Sequence, residues 1–198
     1  MMSSLKYQEP YKRLEGRRKS KFCCCSRCTF CCKIIMTVTC IFVLAVVGLI
    51  IGFAATNPIH ASCKVNWIFP STSCDNVKGK IKNQITLWGG KENCKNGGEK
   101  CLYVMGDDTG KTLTATHSTP VKGYVDKMTF TFTTDRADCQ TEGYSTSETW
   151  YAVLDYGTNY CNLHNLMIGS GLNNTVGYKE MTSNSQCTQY SSADCEKY

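Results

Sequence analysis

Histidine is scarce in this 198-residue chain: only His60, His117 and His164 occur, and none stands in an H-E-x-x-H or H-x-H spacing. A metal centre needs three or four converging ligands, so isolated histidines that satisfy local hydrogen bonds are the expectation. A phosphate loop is also missing, because Gly169-Ser170-Gly171 is too short. The one approach to a nucleophile elbow is Gly143-Tyr144-Ser145-Thr146-Ser147, where Ser147 replaces the second glycine and more strand is expected to follow instead of a helix. No catalytic constellation can be assembled and no cofactor is implied. There is no internal repeat. Charge is absent from one long stretch, Ile34 to Ala55, which reads IIMTVTCIFVLAVVGLIIGFAA.

That uncharged run would span roughly 33 Å as a helix at about 1.5 Å per residue, the thickness of a bilayer core. Its polar side chains are Thr37, Thr39 and Cys40, so it lacks the polar stripe of a buried soluble helix. Residues 1–33 carry nine Lys/Arg against Glu9 and Glu15, which is +7; subtracting these from the totals of 22 and 16 leaves 13 basic and 14 acidic residues, or −1. Basic residues stay on the cytoplasmic side of a span. The expected topology is type II: residues 1–33 a disordered cytosolic tail on the anionic inner leaflet, 34–55 the transmembrane helix, 56–198 outside at the plasma membrane. A cleaved signal peptide is the competing reading, but the apolar run is longer, and its leader longer, than such signals have. With the basic excess confined to the tail, no nucleic-acid partner is expected.

Cysteine is abundant, and its placement follows the same division. Cys23, Cys24, Cys25, Cys28, Cys31 and Cys32 cluster beside Lys, Arg and Phe just before the apolar run. That setting points to S-acylation over metal binding, despite the C-x-x-C-x-x-C spacing. Gly48 and Gly52 form a G-x-x-x-G pair that would let two helices approach as a homodimer. The other eight, Cys63, Cys74, Cys94, Cys101, Cys139, Cys161, Cys187 and Cys195, are the right number for four disulfides in an oxidising compartment. Short loops cost least to close, which favours Cys63 with Cys74, Cys94 with Cys101 and Cys187 with Cys195.

Beyond the span, Val77, Ile81, Ile85 and Trp88 recur at helical spacing, and Gly89-Gly90 ends that pattern. Strand-like stretches follow at 100–105, 111–117, 124–134 and 147–156. The third alternates Val125, Met128, Phe130 and Phe132 with polar residues, and Asp107-Asp108-Thr109-Gly110 makes a hairpin turn between the first two. Leu163, Leu166, Met167 and Leu172 predict a second helix. The expected fold is α+β: an antiparallel β-meander packed with one or two helices, disulfide-stabilised and preceded by a single transmembrane helix.

Residues 145–166 concentrate Trp150, Tyr151, Tyr156 and Tyr160 with Asp155, Asn159, Asn162 and Asn165. Such a mixture can build a polar-rimmed aromatic pocket, and His117, Trp150, Asp155, Tyr156 and Asn159 are the candidate binding residues. Turn and cap chemistry explains much of it too, with Asp155 accepting from turn amides and Asn159 or Asn162 capping the helix. Tyr124-Val-Asp126, Phe130, Ser145-x-Ser147 and the run Leu154-Asp155-Tyr156-Gly157-Thr158-Asn159-Tyr160-Cys161-Asn162-Leu163 resemble a small domain of unknown function from bacteria and plastids, in its disulfide-bearing, membrane-anchored eukaryotic relatives. The resemblance implies a domain unit and brings no activity or catalytic residue with it.

Asn173-Asn174-Thr175 is a glycosylation acceptor, whereas Pro58 excludes Asn57. Together these features predict a type II membrane glycoprotein whose outer domain binds a protein, glycan or lipid partner. A tethered hydrolase using Asp155, His117 or His164 and a lipid-binding fold are the alternatives.

Overall fold

The computed structural model describes residues 26–56 and 58–198. The basic tail with Cys23, Cys24 and Cys25 lies outside the described residues, and of Cys28 only the backbone is described. The chain divides between Val46 and Val47 into two compact units, a division that falls inside the first helix.

Helix α1 runs Ser26–Thr56, eight residues ahead of the expected start at Ile34, so Cys31 and Cys32 ride on its first turns as exposed free thiols. Its large apolar side chains are exposed, and among the described residues it is the one helix long and apolar enough to cross a membrane, from Cys31 to Ala55. The hydroxyls of Thr37 and Thr39 donate to the carbonyls of Lys33 and Ile35 one turn back, which hides their polarity against the helix.

The remaining elements are β1 (Ser62–Phe69), α2 (Cys74–Leu87), β2 (Tyr103–Asp108), β3 (Thr112–Ser118), β4 (Val125–Asp135), β5 (Asp138–Ser147), α3 (Thr158–Gly169) and β6 (Lys179–Met181). They form one antiparallel six-stranded sheet in the order β2-β3-β4-β5-β1-β6. The first three strands of the expected meander are β2, β3 and β4, β5 continues it, and β1 and β6 extend the sheet beyond β5. One face carries the inward residues Val65, Trp67 and Phe69 of β1, Leu113 and Ala115 of β3 and Met128, Phe130 and Phe132 of β4. Both helices pack there, α2 through Val77, Ile81 and Ile85 and α3 through Leu163, Leu166 and Met167. Each such fully buried side chain contributes roughly 1.5–3 kcal/mol. The Gln84 amide joins the helices, its Nε2 donating to Gly169 O (2.7 Å) and its Oε1 accepting from Trp88 Nε1 (3.0 Å).

Two expectations are corrected. The stretch 147–156 is not a strand: β5 occupies Asp138–Ser147, and the chain then leaves the sheet in an irregular connection to α3. The inward residues of β5 are Cys139, Thr141, Gly143 and Ser145, small because a Cβ on Gly143 would lie 2.5 Å from a carbon of the Trp67 ring and 3.3 Å from Leu163. The second correction concerns the disulfides. All eight cysteines beyond α1 are paired, but as Cys63–Cys187, Cys74–Cys139, Cys94–Cys101 and Cys161–Cys195. Only the Cys94–Cys101 loop matches the short-loop expectation. The sheet overrides loop entropy elsewhere, since β1 is bridged to Cys187 through its backbone and α2 begins beside β5.

Candidate functional site

Strand register places one set of loops at the same end of the sheet. Ser62 at the start of β1 lies opposite Thr146 near the end of β5, Ser147 opposite Asp126 at the start of β4, and Ser118 at the end of β3 opposite Val125. The β3–β4 loop (119–124), the β5–α3 connection (148–157) and the approach to β2 around Glu99 therefore meet there. They enclose a cavity of about 570 Å³, which Lys197 and Tyr198 complete.

Three carboxylates line it: Glu99, Asp126 and Asp155. Asp126 occupies the first inward position of β4 and is almost wholly buried, with its Oδ2 accepting from Asn162 Nδ2 (2.8 Å). Burial raises its pKa, and hydrogen bonds from Asn162 and Ser147 restrain the rise. Glu99 is raised by burial and then by the nearby Asp126 charge, with Lys197 opposing. Its Oε2 is buried and has no hydrogen-bond partner among the described residues. Asp155 Oδ1 accepts from the Gly157 amide (3.0 Å), and its Oδ2 from the Asn159 amide (3.1 Å) and Asn159 Nδ2 (2.8 Å). It thereby caps α3, because the residue at the cap position, Gly157, has no side chain to do so. Burial still raises the Asp155 pKa against these bonds.

Aromatic rings form the rest of the wall. Tyr124, Tyr151, Tyr156 and Tyr198 line the cavity, with Lys122 over the Tyr124 ring at 5.8 Å and Lys197 over the Tyr198 ring at 4.7 Å. Tyr156 is held at φ 56°, a left-handed conformation costly for a residue with a Cβ. Gln189 Oε1 fastens it by accepting from the amides of Tyr156 (2.7 Å) and Asp155 (3.1 Å). Gly157 follows at φ 81°, where a Cβ would meet the Ala193 backbone at 2.8 Å. This doubled turn directs Tyr156 outward while α3 starts inward.

The candidate residues read from the sequence fall into three groups. Asp155 and Tyr156 line the cavity. His117 and Asn159 stand behind it: Asn159 accepts from Ser145 Oγ (2.6 Å), and His117 Nε2 donates to the Glu99 carbonyl (2.8 Å) while its ring packs 4.5 Å from that of Tyr103. Trp150 stands on the outer surface, 85 % exposed and edge-on to Tyr151. The cavity residues that sequence reasoning missed are Glu99, Asp126, Tyr124, Lys122, Lys197 and Tyr198. One signal was readable: Asp126 sits in phase with Met128, Phe130 and Phe132, a charge where the alternation demands an apolar side chain.

His117, His164 and Asp155 do not share a site. His164 Nδ1 lies 3.2 Å from Glu180 Oε2, and Glu180 also accepts from Trp67 Nε1 (2.9 Å), Tyr160 OH (2.7 Å) and Tyr178 OH (2.9 Å). Burial alone would raise the Glu180 pKa, but the bonds from His164, Trp67 and Tyr160 outweigh it and bring it to about 2. This carboxylate ties α3 and β1 to the edge strand β6. Ser145 is fully buried and its hydroxyl donates to Asn159 Oδ1, an amide and not a base. Among the described residues no group of three or more His, Cys, Asp or Glu is placed to hold a metal ion. Asn173 sits half-buried in the turn Leu172–Asn174 that follows α3.

In comparisons with known proteins, the chain matches no family model, no curated protein and no solved structure, and nothing there bears on the resemblance drawn from residues 124–163.

Proposed function

We propose that this is a single-pass type II membrane protein whose disulfide-bonded domain is a binding module, with the strand-end cavity as its site for a small ligand bearing an ammonium group. The observation that carries the reading is the cavity itself: three carboxylates against Lys122 and Lys197, one carboxylate with a buried oxygen that has no partner among the described residues, walled by tyrosine rings. Carboxylates supply charge for an ammonium, and aromatic faces attract a cation by about 0.5–2 kcal/mol each. A carboxylate whose pKa is raised by burial is relieved by an incoming cation, so burial that costs the free domain stability favours the complex.

The membrane reading rests on α1, on the +7 charge of residues 1–33 that precedes its uncharged run Ile34–Ala55, and on the −1 beyond that run. Acylation of Cys23, Cys24, Cys25, Cys28, Cys31 and Cys32, pairing through Gly48 and Gly52, a glycan at Asn173 and residence at the plasma membrane belong to the same proposal.

Titration calorimetry of the full chain in maltoside micelles against tetramethylammonium, ethylamine and the uncharged isostere of each tests the binding. Saturable heat with the cations alone is expected, reduced at least tenfold in affinity by Glu99→Gln and weakening on acidification as the carboxylates protonate. Equal heats for cation and isostere, or an unaffected Glu99→Gln variant, would remove the ammonium reading.

A further inference from the structure

The exposed large apolar side chains of the domain are not spread evenly. Leu87, Val104, Tyr144, Ile168, Val176 and Met181 are distributed over α2, β2, β5, α3, the turn that follows it and β6, which is ordinary for a soluble surface. At the sheet end that holds the cavity, by contrast, Ile59, Val121, Trp150, Tyr151, Leu154 and Tyr156 are all exposed, Val121 and Trp150 by 89 % and 85 %, and Val121, Tyr151, Leu154 and Tyr156 also line the cavity. They come from three separate segments, namely the approach to β1, the β3–β4 loop and the β5–α3 connection, which strand register brings to one end of the sheet. Backbone bonds fasten the segments together there: Ala61 N donates to Ala152 O (2.8 Å), Ser147 N to Ala61 O (3.0 Å) and Glu148 N to Val125 O (2.8 Å).

We infer that this apolar rim is a membrane-docking surface, seated in the headgroup region of the leaflet from which the chain emerges. The inference rests on the reading of α1 as a membrane span. Chain length then says what covers the rim. The helix ends at Thr56 and β1 begins at Ser62, and a chain joining these two reaches at most about 20 Å when fully extended. The start of β1 is the rim end of the sheet, so that end cannot leave the vicinity of the bilayer. The residue types suit the place, because Trp and Tyr bury an apolar ring while keeping a polar edge wet, and they concentrate at membrane interfaces. Charge does not oppose docking: Glu148 is paired with Lys127 (2.9 Å), Asp155 is turned inward onto α3, and Lys122 can extend toward lipid phosphates. The cavity of the proposed site then opens beside the leaflet.

The test uses the full chain reconstituted in phosphatidylcholine vesicles, with the acyl chains brominated near the headgroup in one preparation. Alkaline washing and flotation first establish whether the protein is integral. Of the three tryptophans, Trp67 is buried and Trp88 is packed against Tyr103, so Trp150 is the reporter. The expected result is a floating protein whose emission is quenched by brominated lipid and shielded from iodide, with both effects lost in Trp150→Phe. A floating protein in which wild type and Trp150→Phe are quenched alike by brominated lipid overturns the docking surface and leaves the span standing. Shielding from iodide without lipid quenching also overturns it, in favour of a protein partner on the rim. A protein that fails to float overturns the span and the docking surface together.

Discussion

His117 is a buried, neutral imidazole: burial lowers its pKa from 6.5 to about 4, and the Glu99 and Cys101 backbone restores only part of the loss. The unfolded chain therefore takes up a proton that the folded chain refuses between those two values. The contribution is present in full above pH 6.5 and is lost as pH falls toward 4, on the order of 3 kcal/mol when complete. Glu99, Asp126 and Asp155 work in the opposite sense, since their raised values mean that acidification relieves a cost. Urea unfolding of wild type and His117→Gln from pH 7 to 4 separates the two, and the difference between them should shrink with acidification over that window. A second residue-scale prediction concerns Gly143. Its Cβ would lie 2.5 Å from the Trp67 ring, and Trp67 cannot retreat because Phe130 stacks beside it and Glu180 holds its Nε1. Gly143→Ala should cost about 1–3 kcal/mol of unfolding free energy by overpacking, read as a lower denaturant midpoint.

At the scale of elements, α3 depends on a carboxylate outside its own boundary. Asp155→Ala removes three hydrogen bonds at the helix start and should cost about 1–2 kcal/mol, with Asp155→Asn costing less because one acceptor remains. Chemical unfolding of both variants checks the order. The elements also differ in how far the sequence reveals them. Helix α2 and strands β3 and β4 carry clean periodicity and form where it predicts. β5 does not: its inward positions are small because Trp67 and Leu163 fill the space above them, so no apolar alternation survives, while 147–156 carries the aromatics of a strand on an exposed loop. In β1, Ile68 points outward between Trp67 and Phe69 and blurs the alternation, and β6 is three residues defined by pairing with β1. The cavity was half legible for the same reason. Residues 145–166 announce Asp155 and Tyr156, but Glu99, Lys197 and Tyr198 arrive through tertiary structure alone.

For the molecule as a whole, the disulfides bind distant parts of the chain to a core made of local pieces. Cys63–Cys187 spans 124 residues and Cys94–Cys101 only 7. In the chain-entropy account the first constrains the unfolded state by about 5 kcal/mol and the second by about 2–3, so removal of the long bridge should lower thermal stability far more. These bridges also bear on topology, since an oxidised domain requires an oxidising compartment. In the proposed function α1 tethers the domain on the non-cytosolic side of a membrane. The most direct test of this tether is to trap thiols in intact cells with N-ethylmaleimide, isolate the full chain without reductant and map its cysteines by mass spectrometry. Cys63–Cys187, Cys74–Cys139, Cys94–Cys101 and Cys161–Cys195 should be recovered bridged, with Cys31 and Cys32 outside that set; recovery of the eight domain cysteines as alkylated free thiols would place the domain in the cytosol and overturn the tether.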